Sequence, residues 1–110
     1  MKGLRTQGTP GVLDATGALT ATMMASGIVT SAAATVAGTV PTGTVMDAAL
    51  EMEIGESFDW TVIKVGANSF TVTAATAHTL VGSGVVATAT SITFRTRKTA
   101  AATYVTYRLG

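Results

Sequence analysis

The sequence predicts a mainly β fold, a small β-sandwich or jelly-roll-like barrel with one or two short helices and an extended N-terminal arm. Three observations carry that expectation. Thr, Ala and Gly number 22, 19 and 12 of 110 residues; branched Thr and Val side chains suit a pleated surface, while Gly and Ala permit tight turns and close backbone approach. In the C-terminal half, apolar and polar residues alternate in short runs, the period of a strand with one face in a core. Turn residues separate these runs at intervals of about 8 to 12 positions, as in sandwiches and barrels.

The elements follow in order. Residues 1–17 contain Gly3, Gly8, Pro10, Gly11 and Gly17 without periodicity, and read as an extended arm with a turn at Thr9-Pro10-Gly11. No apolar run of signal-peptide length follows Lys2 and Arg5. Deleting residues 1–16 is therefore expected to leave the fold intact, and residues 18–110 are expected to form a single β-rich domain. Over residues 20–26, Thr20 can cap one or two helical turns that Gly27 stops. Residues 28–30 then predict a strand, 31–34 a turn, and 35–40 a second strand ended by Pro41, which lacks the N–H a central strand needs.

Thr44 and Asp47 are spaced as a capping box for a helix over residues 45–52, with Val45, Ala48, Ala49 and Met52 on one face and Gly55 as its end. In residues 57–65, Phe58, Trp60 and Val62 alternate with polar residues. Residues 66–69 turn, and residues 70–74 return with the same alternation, which reads as a hairpin. Beyond the Gly82-Ser83-Gly84 break, residues 85–89 and 91–98 read as strands. A turn over 99–102 leads into residues 103–109, with Val105, Tyr107 and Leu109 on one side.

Charge is scarce. Charged residues make up 12% of the chain and the net charge is +1, against about 25% in a typical soluble domain. The tracts 15–46 and 65–94 carry no Lys, Arg, Asp or Glu, yet Thr, Ser and Gly interrupt both every few positions, so neither reads as a membrane span. Much of this surface is expected to be covered by other chains, with the tracts in the core and at contacts between subunits. There is no Cys, which excludes disulfides and thiolate chemistry. A core with few aromatics is thin, and oligomerisation is one way to supplement it.

No catalytic constellation emerges, and no cofactor or metal is expected. His78 is the single histidine and has no acid within ten residues on either side, so it reads as a loop or interface residue. Five of the six acids lie between residues 47 and 59; Glu51, Glu53 and Glu56 straddle a helix end and turn, where exposed charge is ordinary, and Trp60 is in strand register with core residues. Gly82-Ser83-Gly84 lacks the Lys and spacing of a phosphate loop. Arg95, Arg97 and Lys98, with Tyr104 and Arg108 on the next strand, form a basic stripe. With so small a net charge, a contact to acidic patches on a partner fits it better than nucleic acid does. Lys2, Arg5, Arg95, Arg97, Lys98 and Arg108 are the candidate partner-contact residues.

Several segments carry a resemblance: Thr20-Ala-Thr-Met-Met-Ala-Ser-Gly-Ile-Val-Thr, Ala34-Thr-Val-Ala-Gly-Thr-Val-Pro, Gly55-Glu-Ser-Phe-Asp-Trp-Thr-Val-Ile, Ser91-Ile-Thr-Phe-Arg-Thr-Arg and Ala102-Thr-Tyr-Val-Thr-Tyr-Arg-Leu. Over about residues 18–110 the chain resembles the capsid decoration, or cement, proteins of tailed bacteriophages. The resemblance implies a homotrimer on the outer surface of the virion capsid that binds the major capsid protein and bridges capsomers, without enzyme activity and without nucleic-acid or membrane partners. It carries over no site residues. The N-terminal arm is expected to lie along a neighbouring chain. The alternative is a head- or tail-fibre adhesive module that binds host surface glycan or protein.

Overall fold

The structure is a computed structural model that describes residues 6–32 and 35–110. Residues 6–10 have no regular structure. The chain then runs through β1 (Gly11–Val12), β2 (Gly17–Ala18), α1 (Ala21–Ala25), β3 (Ile28–Ser31), β4 (Val36–Thr39) and α2 (Gly43–Leu50). It continues with β5 (Ser57–Lys64), β6 (Phe70–Thr73), β7 (His78–Val81), β8 (Val85–Val86), β9 (Ser91–Ala100) and β10 (Thr103–Arg108). The mainly β class with two short helices is what the composition and alternation predict.

Local chemistry fixes both helices. Thr20 caps α1 by accepting the Met23 amide at 3.1 Å, and Gly27 follows the last turn at a φ of +88°, a left-handed conformation that costs glycine little. The cap of α2 is Thr42, not Thr44: its hydroxyl accepts from the Val45 amide. The buried face of α2 also differs from the expected one. Gly43 and Met46 are buried, whereas Val45 is 52% exposed and Ala48 and Ala49 are exposed. The expected apolar face of Val45, Ala48 and Ala49 therefore points outward. Asp47 forms no capping box, because its carboxylate reaches across to the β9–β10 turn.

Two sheets share the chain. The larger has six strands in the order β1-β3-β5-β9-β10-β7, and the smaller has four in the order β2-β4-β6-β8. From β1 to β8 the chain alternates between them, so that β1, β3 and β5 stack in parallel in one sheet while β2, β4 and β6 stack in parallel in the other. Antiparallel pairing enters at β6–β8, β5–β9 and β9–β10, and β7 adds to β10 in parallel. The predicted hairpin of residues 57–65 with 70–74 is thus corrected. Its turn carries the chain from the larger sheet to the smaller one. Alternation shows which side chains of a strand are buried and leaves its neighbour open, and β5 and β6 bury theirs from opposite sheets. Residues 91–98 and 103–109 do form the expected antiparallel pair, with a register irregularity at Thr103/Tyr104.

One core joins the sheets. Trp60, Val62, Phe94 and Tyr104 from the larger sheet meet Val36, Phe70, Val72 and Val86 from the smaller, with Met24 of α1 and Met46 of α2 at the margin. The Trp60 and Phe94 rings stack with centroids 5.1 Å apart. On β10 Tyr104 and Thr106 are buried, while Val105 and Tyr107 are half-buried on the outer side. The inward residues bring polar groups that the core satisfies, as described below.

The arm is shorter than its composition predicts. β1 and β2 are pairing strands, Leu13 packs against the core, and Asp14 Oδ1 accepts the Ala32 amide at 2.8 Å. Removing residues 1–10 is expected to change stability by less than about 0.5 kcal/mol. Removal through residue 16 is expected to cost about 1–3 kcal/mol, because it strips an apolar contact and a paired strand. Thermal unfolding of the two shortened chains checks this. Equal melting temperatures would contradict the role given to β1.

Candidate functional site

Register places the basic stripe. On β5, β9 and β10 the outward rows run Asp59–Arg95–Tyr107 and Ser57–Arg97–Val105, and β7 extends them with Val81 and Thr79. Further along lie Thr61 opposite Thr93, with hydroxyls 3.0 Å apart, and Ile63 opposite Ser91. These side chains are half-buried or exposed, and no other element of the described residues covers them. The outer face of the larger sheet is therefore an open surface of β-branched, hydroxyl and aromatic groups with charge at one end.

The candidate contact residues divide sharply. Arg95 grips Asp59 with two bonds, Nε to Oδ1 at 2.6 Å and a terminal nitrogen to Oδ2 at 3.0 Å. Bonding to the guanidinium holds the Asp59 carboxyl below its ordinary range, and the carboxylate in turn raises Arg95. Both groups are exposed, so the pair adds little stability. Arg97 is exposed on the same face and makes no side-chain hydrogen bond or ion pair among the described residues.

Lys98 and Arg108 face the other way. Arg108 donates to the Ser83 carbonyl at 3.0 Å and to the Val85 carbonyl, fastening the larger sheet to the segment that holds β8 in the smaller one. Lys98 Nζ meets Asp47 Oδ1 at 2.8 Å and the Met52 carbonyl at 2.9 Å. Tyr104 is buried beneath it, so the aromatic neighbour of Arg95 on the outer face is Tyr107. Lys2 and Arg5 lie outside the described residues, as does the Ala33-Ala34 part of the turn predicted over 31–34.

Asp47 is the centre of a clamp that sequence reading assigned to a helix cap. Its carboxylate accepts from Lys98, from the Tyr104 hydroxyl and from the Ala102 amide at 2.9 Å, which ties α2 to the β9–β10 turn. The Lys98 bond and then the Tyr104 bond pull its carboxyl below the ordinary range. Tyr104 is pushed strongly upward, by burial first and by the neighbouring carboxylate second. These shifts come from structural contacts rather than from a site aimed at a ligand. Glu51, Glu53 and Glu56 are exposed around a turn, where the Glu56 carboxylate accepts the Glu53 amide at 2.7 Å.

His78 is neither a loop nor an interface residue. It opens β7 and is fully buried, with Nδ1 2.8 Å from the Pro41 carbonyl and Nε2 2.7 Å from Thr106 Oγ1. Thr106 Oγ1 lies 2.8 Å from Thr96 Oγ1, which accepts from Trp60 Nε1 at 2.9 Å. Four side chains from β5, β7, β9 and β10 thus form one buried polar chain. Lys64 is a second residue that local sequence did not single out. Its place in the period of Trp60 and Val62 is the signal, and it is 1% exposed with Nζ 3.2 Å from the Ser31 hydroxyl.

A groove of about 530 Å³ opens where strands of the smaller sheet meet the helices, lined by Leu19, Val40, Pro41, Val45, Ala49 and Ala75 among others. None of its lining residues is charged, and most belong to the first charge-free tract. Among the described residues no group of three or more His, Cys, Asp or Glu could hold a metal ion, and no helix is long and apolar enough to cross a membrane. The chain matches no protein-family model, no curated protein and no solved structure.

Proposed function

We propose that this chain is a structural protein of a phage particle, a decoration protein that binds the outer surface of the capsid as a homotrimer and bridges capsomers. The observation that carries the reading is the open outer face of the larger sheet, where Arg97 stands without an internal partner beside half-buried Val105 and Tyr107. A broad sheet face of low charge suits extended contact with another protein surface better than capture of a small molecule. The resemblance of residues 18–110 to phage cement proteins supports the same reading. Linkage gives the mechanism: a protein that binds the assembled lattice and not its separated subunits stabilises the lattice by its binding free energy, and a trimer multiplies this through effective concentration.

The test is co-sedimentation with expanded capsid shells of the phage that encodes the chain, with the oligomeric state measured by analytical ultracentrifugation. The wild type is expected to sediment with the shells and to be a trimer alone. Arg97→Glu is expected to keep its melting temperature, since the exposed side chain makes no hydrogen bond or ion pair among the described residues, and to bind shells about tenfold more weakly. A stable monomer that does not bind shells would overturn the reading. Unchanged binding by Arg97→Glu would move the contact away from this face.

A further inference from the structure

We propose that His78 is an acid-sensitive latch: the buried hydrogen-bonded chain from Trp60 to Pro41 closes only while the imidazole is neutral, so mild acid loosens the hold between the strands of the larger sheet and the segment that leads into α2. The direction of the chain is fixed at both ends. Indole N–H can only donate and the Pro41 carbonyl can only accept. Trp60 therefore donates to Thr96, Thr96 to Thr106, Thr106 to His78 Nε2, and His78 Nδ1–H to Pro41. Each hydroxyl accepts one bond and donates one, and nothing is left over.

A proton on Nε2 breaks this order. Nε2–H must then donate to Thr106, whose own proton turns toward Thr96. Thr96 already accepts from Trp60, and its hydroxyl hydrogen has no other acceptor among the described residues. A buried charge and a stranded hydroxyl arise together, and both are costly in a core.

The surroundings offer no compensation. From β10 the Tyr104 ring lies 5.9 Å away. Beyond it, Asp47 of α2 and Lys98 of β9 are paired with each other at 2.8 Å. From the β4–α2 segment comes the Pro41 carbonyl. No carboxylate bonds the ring. Burial lowers the affinity of His78 for a proton, and the Pro41 carbonyl opposes this only in part.

The sign of the effect follows. In the unfolded chain His78 takes its proton near pH 6.5, whereas the folded chain resists it, so below that pH the unfolded state binds more protons and stability falls with pH. The limit is one proton, or about a tenfold rise in the unfolding constant per pH unit. Asp47 and Asp59, held below the ordinary carboxylate range, withdraw their contributions only in stronger acid. The window from about pH 6.5 to 5 therefore isolates His78.

The experiment is urea unfolding of the wild type and His78→Gln at steps from pH 7.5 to 5.0, with long-range proton–nitrogen NMR of the wild-type imidazole. The wild type is expected to lose stability by up to tenfold per pH unit below 6.5, while His78→Gln, less stable at pH 7.5, is flat across the window. The ring is expected to carry its proton on Nδ1 and, in the folded protein, to titrate below the ordinary imidazole range. A wild type flat in the same window, a glutamine variant that keeps the slope, or a folded-state imidazole that titrates near 6.5 would each overturn the proposal. The NMR measurement decides by itself if the variant does not fold.

Discussion

Gly43→Ala is expected to destabilise the protein by about 3 kcal/mol or more and to lower its melting temperature by about 10 °C or more. A Cβ built on Gly43 would lie 1.8 Å from the Ala102 carbonyl oxygen and 2.9 Å from that of Ala77. Both obstacles are backbone, so no side-chain rotation relieves them. Either α2 must retreat from the β9–β10 turn or the turn must open, and retreat pulls Asp47 away from Ala102, Tyr104 and Lys98. Gly8→Ala is the control, because a Cβ there meets nothing within 4 Å. Comparable melting temperatures for the two variants would show that the start of α2 is not confined as described.

Thr96→Val is expected to cost about 2–4 kcal/mol although it keeps the shape of the side chain. The hydroxyl it removes is the acceptor for Trp60 Nε1 and the donor to Thr106, both buried. The loss leaves an indole N–H unpaired in the core, where a missing partner is worth more than the bond itself. Thr93→Val, at a half-buried hydroxyl pair on the outer face, is expected to change stability by less than about 0.5 kcal/mol. Trp60→Phe combined with Thr96→Val is expected to be less destabilised than the sum of the two single changes, since both ends of one bond disappear together. Strict additivity, read from chemical denaturation, would mean that the two groups do not depend on each other.

What was legible in the sequence was local. Thr20, Gly27 and the helix-forming residues between them specify α1 within one stretch of chain, and the alternation of Phe58, Trp60 and Val62 shows which face of β5 turns inward. What was not legible depends on partners far along the chain. Asp47 resembles a capping residue until Ala102 and Tyr104 are brought beside it, and His78 looks solitary because Pro41, Thr96 and Thr106 are distant in sequence. The basic residues show the same limit. Spacing placed Arg95 and Arg97 on one face, but only the register with β5 and β10 shows that Arg95 is occupied by Asp59, that Lys98 and Arg108 turn inward, and that Arg97 remains open.

The alternation of the chain between two sheets has a kinetic consequence. Along the first 73 residues each strand finds its neighbour one full winding away, as when Val29 meets Val62 and Gly38 meets Val72, and the entropy of closing such loops is lost before any contact rewards it. The pair joined by a tight connection is β9–β10. That pair makes the natural nucleus: β5 can add to β9, and the earlier strands can then be laid down in turn toward the N-terminus. A ribosome delivers β9 and β10 after β1 to β8. The earlier strands therefore wait for the pair that receives them, and the charge-free tract of residues 15–46 stays unfolded in the meantime.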